Sequence, residues 1–395
     1  MTQRDRVVLL GGARTPIGSY GGCLREVPAH ELGAAAVREA LARTGTAPDR
    51  VDEVVMGCIG QVGPDSYNAR RVTLAADLPV STPAYNVNRL CGSGLQAVWS
   101  AAQRIVWGAA DVVVAGGNES MSRMPFLEYG SRGNNRLGDR TLLDGTVAML
   151  TDPFSNQHMG VTAENVAARY GVDRAAQDEF ALESQRRAAT AAAQAAFAEE
   201  ITAVTVSGRR PVVVDTDEHP RPDTTLDRLG SLRPVFREGG TVTAGNASGV
   251  NDGGAALVLA RESAALDHGQ RPLATLEEVT VAAMEPELMG YAPVHALAKL
   301  WDATGLTPAD VDVIELNEAF AAQAVAVIRD AGLDPERTNP YGGAIAMGHP
   351  VGASGAILTL RAALDLTRRD LEYAVVSLCI GGGQAIAALL RRYDA

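Results

Sequence analysis

An internal repeat limits how this chain can fold more than any other feature. Residues 45–55 read GTAPDRVDEVV and residues 305–315 read GLTPADVDVIE. Gly45, Pro48, Val51 and Asp52 thus fall over Gly305, Pro308, Val311 and Asp312 at an offset of 260. The segments before them are amphipathic, with Val37, Ala40 and Leu41 over Leu297, Leu300 and Trp301. Each ends at a glycine suited to the left-handed position just past a helix. Further on, CGSGLQAVWSAAQRI (91–105) matches GASGAILTLRAALDL (352–366), with Ser93-Gly94 over Ser354-Gly355 at an offset of 261. Val112-Val113-Val114 then falls over Ala374-Val375-Val376 at 262. Four matches at a nearly constant offset are a duplication, so the fold is two copies of one supersecondary plan.

Within each copy, β-branched apolar runs alternate with Ala/Leu-rich helical periodicity, which predicts strands covered on both faces by helices. The copies differ at one place. After residues 374–378, a glycine turn leads within a few residues to the apolar run 385–390, whereas the equivalent run of the first copy, Ala255–Leu259, arrives roughly 130 residues later. That is far beyond an ordinary connection. Residues 119–250 are therefore expected to be an insertion, dividing the chain into 1–118 plus 251–270, 119–250, and 271–395. The insertion should hold one Ala-rich helix over about 174–199 with Asp173 as N-cap.

Charge and composition exclude several classes. A net charge of −12 argues against a nucleic-acid partner. Residues 205–240 are neutral within this acidic chain and gather Arg209, Arg210, Arg221, Arg228, Arg233 and Arg237, the best place for a phosphate contact. No apolar run approaches the ~20 residues of a membrane span, and the N-terminus lacks a leader pattern; a cytoplasmic enzyme is expected. The four cysteines, Cys23, Cys58, Cys91 and Cys379, form no CxxC pair and have no His at zinc spacing, so no metal site is expected.

Two of those cysteines lie where chemistry could occur. Cys91 follows the turn-like NVNRL at a helix start, where free N–H groups favour a thiolate; a structural cysteine at a strand-to-helix turn is the alternative. His349 lies between Gly348 and Pro350 on a tight loop with no amphipathic face to fill, which suits a general base. By the repeat alignment, that loop holds in the second half the place Cys91 holds in the first, so pseudo-two-fold symmetry would bring both to one face. Cys379 ends an apolar strand before three glycines, and by position alone a core cysteine is the favoured reading. Asn317-Glu318 follows a strand; Asn317 is either a helix N-cap or a functional polar group.

Together the blocks NRLCGSGLQA, NEAFAAQ (317–323), GGAIAMGHPVGASGA (342–356) and CIGGGQA (379–385) resemble the signatures of the thiolase family, in order and over the whole chain. The resemblance implies an α/β fold: a duplicated five-layered αβαβα core with an inserted loop domain. It implies an acyltransferase that makes or cleaves 3-ketoacyl-CoA through an acyl-cysteine, as an acetyl-CoA C-acetyltransferase or a 3-ketoacyl-CoA thiolase of fatty acid metabolism. Cys91 would be the nucleophile, His349 its base and Cys379 the group that moves the α-proton. Asn317 would hold a water that forms one oxyanion site with His349; the N–H groups of Cys91 and Gly381 would form the other. His158, Met159, Ala244, Ser248, Ala319 and Phe320 would line the path of CoA, with Arg221 at its phosphate or adenine end. CoA is then substrate and product, and no cofactor is implied. The family likeness also implies a homo-oligomer, with RLGDRTLLDG (136–145) resembling the loop that joins dimers into tetramers. Where many members of that family read Gly-Pro after Gly-x, this chain has Gly290-Tyr291-Ala292-Pro293, and Tyr291 puts substrate length in question. Two rivals are a ketoacyl synthase-like condensing enzyme, disfavoured because the second block ends in Cys379 and the Asn317 block replaces the first histidine motif, and a non-catalytic CoA- or lipid-binding protein on the same scaffold, disfavoured by the intact nucleophile and Asn-Glu motif.

Overall fold

The computed structural model describes residues 6–133 and 137–394. The first half supplies β1 (Val7–Arg14), β2 (Glu53–Gly57), β3 (Ala84–Val87), β4 (Val112–Ser120) and β5 (Asn251–Arg261). The second supplies β6 (Ala274–Ala283), β7 (Val313–Leu316), β8 (Tyr373–Ile380) and β9 (Gln384–Arg392). They join edge to edge in the order β7-β8-β9-β6-β1-β5-β4-β2-β3. Read outward from the centre, β1-β5-β4-β2-β3 on one side mirrors β6-β9-β8-β7 on the other, where a bridge from Ile314 to Thr338 stands in β3's place. The two halves of the sheet meet through Val8 with Thr275 and Leu9 with Ala274.

The helices used below are α1 (Ala29–Thr44), α2 (Ser93–Val106), α3 (Met159–Tyr170), α4 (Arg174–Ala188), α5 (Ala191–Glu200), α6 (Ala292–Thr304), α7 (Ala321–Asp330) and α8 (Ser354–Arg368). Helices α1 and α6 end on the expected left-handed glycines, Gly45 (φ 62°) and Gly305 (φ 73°). One apolar core joins α1 to the first-half strands, and another joins α6 and α7 to the second-half strands. The largest core lies between, around α2 and α8. The order is helix, sheet, helix, sheet, helix: the five layers expected. In the central layer the repeated Ser-Gly pairs meet. A Cβ on Gly94 would lie 2.6 Å from the Ala356 nitrogen, and one on Gly355 would lie 2.3 Å from that of Leu95. The sequence match is thus a packing requirement at the pseudo-two-fold axis.

The chain leaves the sheet at Ser120 and returns at Asn251, next to Ser120 in the β4–β5 ladder. Asp173 caps α4 as expected, accepting from the Ala176 N–H at 2.8 Å. The single helix expected over 174–199 is instead two. It stops after Ala188, and Thr190 caps α5 through the Ala193 N–H at 3.2 Å, because a threonine hydroxyl offers the backbone an alternative to continuing the helix. Arg136, the first residue of the expected oligomer loop, lies outside the described residues; Leu137 and Leu142 beyond it are exposed. Glu200, at the end of α5, ties the excursion to both halves. Its buried carboxylate accepts from Arg14 of β1 at 2.6 Å and Arg361 of α8 at 2.9 Å. Both guanidiniums lie over the Phe197 ring. Among the described residues, no helix is long and apolar enough to cross a membrane.

Candidate active site

Cys91 sits in the turn between β3 and α2, one residue before the Gly92 N-cap. The turn is strained: Leu90 has φ +47°, a left-handed conformation that costs a branched residue ~1–3 kcal/mol. Asn88 and Ser93 hold it there. The Leu90 N–H donates to Asn88 Oδ1 at 3.0 Å, and the Ser93 hydroxyl donates to the Leu90 carbonyl at 2.6 Å. The helix start does not yield a resting thiolate. Burial pushes the Cys91 thiol up to about 11, against the opposing pull of the Gly381 and Cys91 N–H groups. The sulfur is protonated at neutral pH and needs a base.

His349 supplies one. Its backbone N–H donates to Asn251 Oδ1 at 2.8 Å, while the Asn251 amide donates to the Gly18 carbonyl at 3.0 Å, anchoring the loop to the first half. The ring is buried, and burial pulls its basicity down to about 4, so it is neutral. Ser354 Oγ lies 2.6 Å from Nδ1 and donates its own proton to the Pro350 carbonyl at 3.0 Å. The hydroxyl therefore accepts from Nδ1–H, which fixes the tautomer and leaves a lone pair on Nε2. Asn317 Nδ2 lies 3.5 Å from Nε2.

Cys379 is buried near the end of β8, before the Gly381–Gly383 turn into β9. Burial and the neighbouring Cys91 sulfur push its thiol far up. A cavity of about 310 Å³ gathers Cys91, His349, Cys379 and Gly381 with His158, Met159, Ser248, Ala319 and Phe320. The repeat alignment thus brought the Cys91 and His349 loops together as expected. The excursion closes over them. The Ser248 N–H donates to the Ala319 carbonyl at 3.0 Å, and the Ala321 N–H to the Asn246 carbonyl at 2.8 Å. His158 caps α3, its Nδ1 accepting from the Gly160 N–H at 3.1 Å, and its ring stacks on Phe236 with centroids 4.8 Å apart.

Three expected site residues do not line this cavity. Asn317 is not part of the cavity lining, but its Nδ2 lies 3.5 Å from His349 Nε2, at the reactive end of the imidazole. It is not a helix cap either, since α7 starts after Phe320. Its neighbour Glu318 is buried, accepting from Ser184 of α4 at 2.7 Å and Asn339 at 2.8 Å, and so pins the excursion to the second half. Arg221 and Ala244 line a separate hollow of about 300 Å³ with Arg228 and His219. The 244–249 loop runs from that hollow to the catalytic cavity. Sequence reasoning missed Ser354, Asn251 and Glu119. Glu119 is buried, pushed up to about 7 by that burial, and accepts from the Ile59 and Gly60 N–H groups at 3.0 and 2.9 Å to hold one cavity wall.

The chain is similar to known proteins over its whole length. Residues 7–263 match the family model "Thiolase, N-terminal domain" and residues 270–392 match "Thiolase, C-terminal domain". A beta-ketothiolase of Cupriavidus necator is 50% identical over 98% of this chain and 99% of its own. An acetyl-CoA acetyltransferase of Allochromatium vinosum is 44% identical over the same shares. Among solved structures, the acetyl-CoA acetyltransferase of Bacillus anthracis superposes with a TM-score of 0.97 at 40% identity over 100% of both chains. Human mitochondrial 3-ketoacyl-CoA thiolase in complex with CoA gives 0.94 at 41% identity, covering 99% of this chain and 98% of the other.

Proposed function

Because the chain belongs to the thiolase family, we propose that it transfers acyl groups between CoA thioesters through an acyl-Cys91 intermediate. The reaction runs as thiolysis of a 3-ketoacyl-CoA or, in reverse, as Claisen condensation. One observation carries the assignment of roles: two thiols and a neutral imidazole whose Nε2 keeps its lone pair share one apolar cavity.

In thiolysis the Cys91 sulfur attacks C3 of the substrate while its proton passes to His349 Nε2. The C3 oxyanion takes the N–H groups of Cys91 and Gly381, preorganised donors of the kind that lower such barriers by several kcal/mol. Breaking C2–C3 leaves its electron pair on C2 as the enolate of acetyl-CoA. Nε2–H of His349, now charged, and a water on Asn317 receive the enolate oxygen. The Cys379 S–H gives C2 its proton. Free CoA then gives its thiol proton to the Cys379 thiolate and displaces the acyl group from Cys91. His349 returns its proton to Cys91. The thiol proton of CoA thus ends on Cys379, and every group is restored. The high affinity of Cys379 for its proton fits a group that is neutral at rest. The 244–249 loop would carry the pantetheine, placing the phosphates near Arg221 and Arg228.

Intact-mass spectrometry after mixing with acetyl-CoA, beside a thiolysis assay, tests the roles. Wild type and Cys379→Ser should gain an acetyl adduct and Cys91→Ser none, while Cys379→Ser should lose at least ~10²-fold in carbon–carbon chemistry. Normal acylation of Cys91→Ser, or full turnover by Cys379→Ser, would overturn the assignment.

A further inference from the structure

A second hollow, of about 510 Å³, opens beside the catalytic cavity. The two share Ile59, Leu90, Met149, Met159 and Gly381, so they meet at the residues that flank the Cys91 sulfur. The bare backbone of Gly381 keeps the passage open: a Cβ there would lie 3.2 Å from Leu90 Cδ1 and 3.4 Å from Met159 Cε. Beyond the passage the walls are apolar, with Met124, Leu127, Ala148, Pro153 and Phe154. Among the described residues no Arg or Lys lines this hollow, in contrast to the one beside Arg221 and Arg228. Phosphate chemistry therefore has no partner in it, and hydrocarbon has many.

The direction of the substrate follows from which residues are not shared. Ser248, Phe236, Ala319 and Met289 line only the catalytic cavity, on the side where the 244–249 loop leads toward the arginines. The thioester arm takes that side. The substituent on C3, whose carbonyl oxygen points at the Gly381 N–H, is left with the passage past Leu90 and Met159. We propose that this second hollow is the acyl-chain site, and that the enzyme cleaves 3-ketoacyl-CoA with unbranched chains of about six to ten carbons in preference to the four-carbon substrate. This rests on Cys91 being the acyl acceptor. The rim is open, with Tyr129 and Phe154 78% and 75% exposed, so a longer chain can emerge along it without a sharp cut-off.

The test is thiolysis of 3-oxobutanoyl-, 3-oxohexanoyl-, 3-oxooctanoyl- and 3-oxodecanoyl-CoA by wild type and by Ala148→Phe, whose ring would fill the hollow. In wild type, kcat/KM should rise about three- to four-fold per added methylene up to eight carbons, the value of burying a methylene. In Ala148→Phe the ratio of eight-carbon to four-carbon kcat/KM should fall at least ~20-fold. Leu127→Trp makes the same test if circular dichroism finds Ala148→Phe misfolded. Wild-type kcat/KM that is flat or falls with chain length, or a ratio unmoved by the filling variant, overturns the chain-site proposal while leaving the thiolase chemistry intact. No turnover at any length, with no adduct on Cys91, overturns the reading beneath it instead.

Discussion

The two halves of this molecule share a strand order, and their largest difference lies at one connection. In the second half, β8 turns into β9 through Gly381–Gly383, a turn so tight that a Cβ on Gly383 would lie 2.2 Å from the Met284 carbonyl oxygen. In the first half, the equivalent step from β4 to β5 takes residues 121–250. Symmetry and asymmetry serve different ends. The shared plan brings the loops of Cys91 and His349 together across the pseudo-two-fold axis, each held by the serine that starts the next helix: Ser93 on Leu90, Ser354 on Pro350. The short turn leaves Cys379 and Gly381 open to the cavity, and the long excursion roofs it. A duplicated core can thus build a reacting centre at its axis, but it needs one unequal connection to enclose a ligand.

The strongest test of that comparison cuts the tie between the unequal part and the two equal ones. Glu200 faces Arg14 and Arg361 with no solvent to replace it, and the pair of arginines holds its carboxyl down to about 2 despite burial. Glu200→Gln should destabilise the fold by ~3–5 kcal/mol, because it leaves the buried Arg361 guanidinium without its close carboxylate, while Arg14 keeps Asp217 at 2.7 Å. The sign with pH follows from the lowered value. The contribution is present above the unfolded value, ~4.3, and is lost as pH falls toward about 2. Denaturant midpoints of variant and wild type should therefore lie far apart at pH 7 and converge below pH 4. A variant within ~1 kcal/mol of wild type at pH 7 would mean that the three parts hold together without this ion cluster.

The sequence made the symmetric part legible and much of the rest illegible, for a physical reason. At the axis the backbones of α2 and α8 approach so closely that only Gly94 and Gly355 fit, so packing itself wrote the repeat into the chain. Motif spacing likewise brought Cys91, His349 and Cys379 into one cavity. What stayed hidden depends on tertiary surroundings. The helix start at Cys91 suggested a thiolate, but burial outweighs it and leaves the proton for His349 to take. Asn251 holds the His349 loop from 98 residues away in sequence, which no local pattern signals. Ser354 did carry a signal, its match to Ser93, which read as a trace of duplication and not as two working hydroxyls.

Ser354 sharpens the comparison, since its counterpart Ser93 meets no imidazole. Ser354→Ala removes the acceptor that fixes the His349 tautomer, and kcat should fall ~10-fold with little change in KM. Ser354→Thr, which keeps the hydroxyl, should recover most of it. Wild-type kcat/KM should hold as pH falls until His349 protonates near about 4, then drop. A purely structural role for Ser354 would lower the folded fraction and leave both the Thr rescue and the kcat-against-KM split unexplained.

The smallest effect belongs to the unequal part alone. Arg221 is exposed, its backbone N–H fixed on Gln185 Oε1 at 2.8 Å, and its hollow lies apart from the reacting atoms. A contact there is the same in ground and transition states, so it contributes uniform binding and should leave kcat alone. Arg221→Ala should raise KM for acetyl-CoA and acetoacetyl-CoA about five-fold, the ~1 kcal/mol of an exposed ionic contact. A pantetheine thioester without the nucleotide makes the control. It cannot reach the arginine, so wild type and variant should turn it over alike. Equal KM values for the full CoA substrates would remove Arg221 from the site. A difference that persisted with the pantetheine substrate would mean that the substitution disturbs the 244–249 loop and does not report on the phosphates.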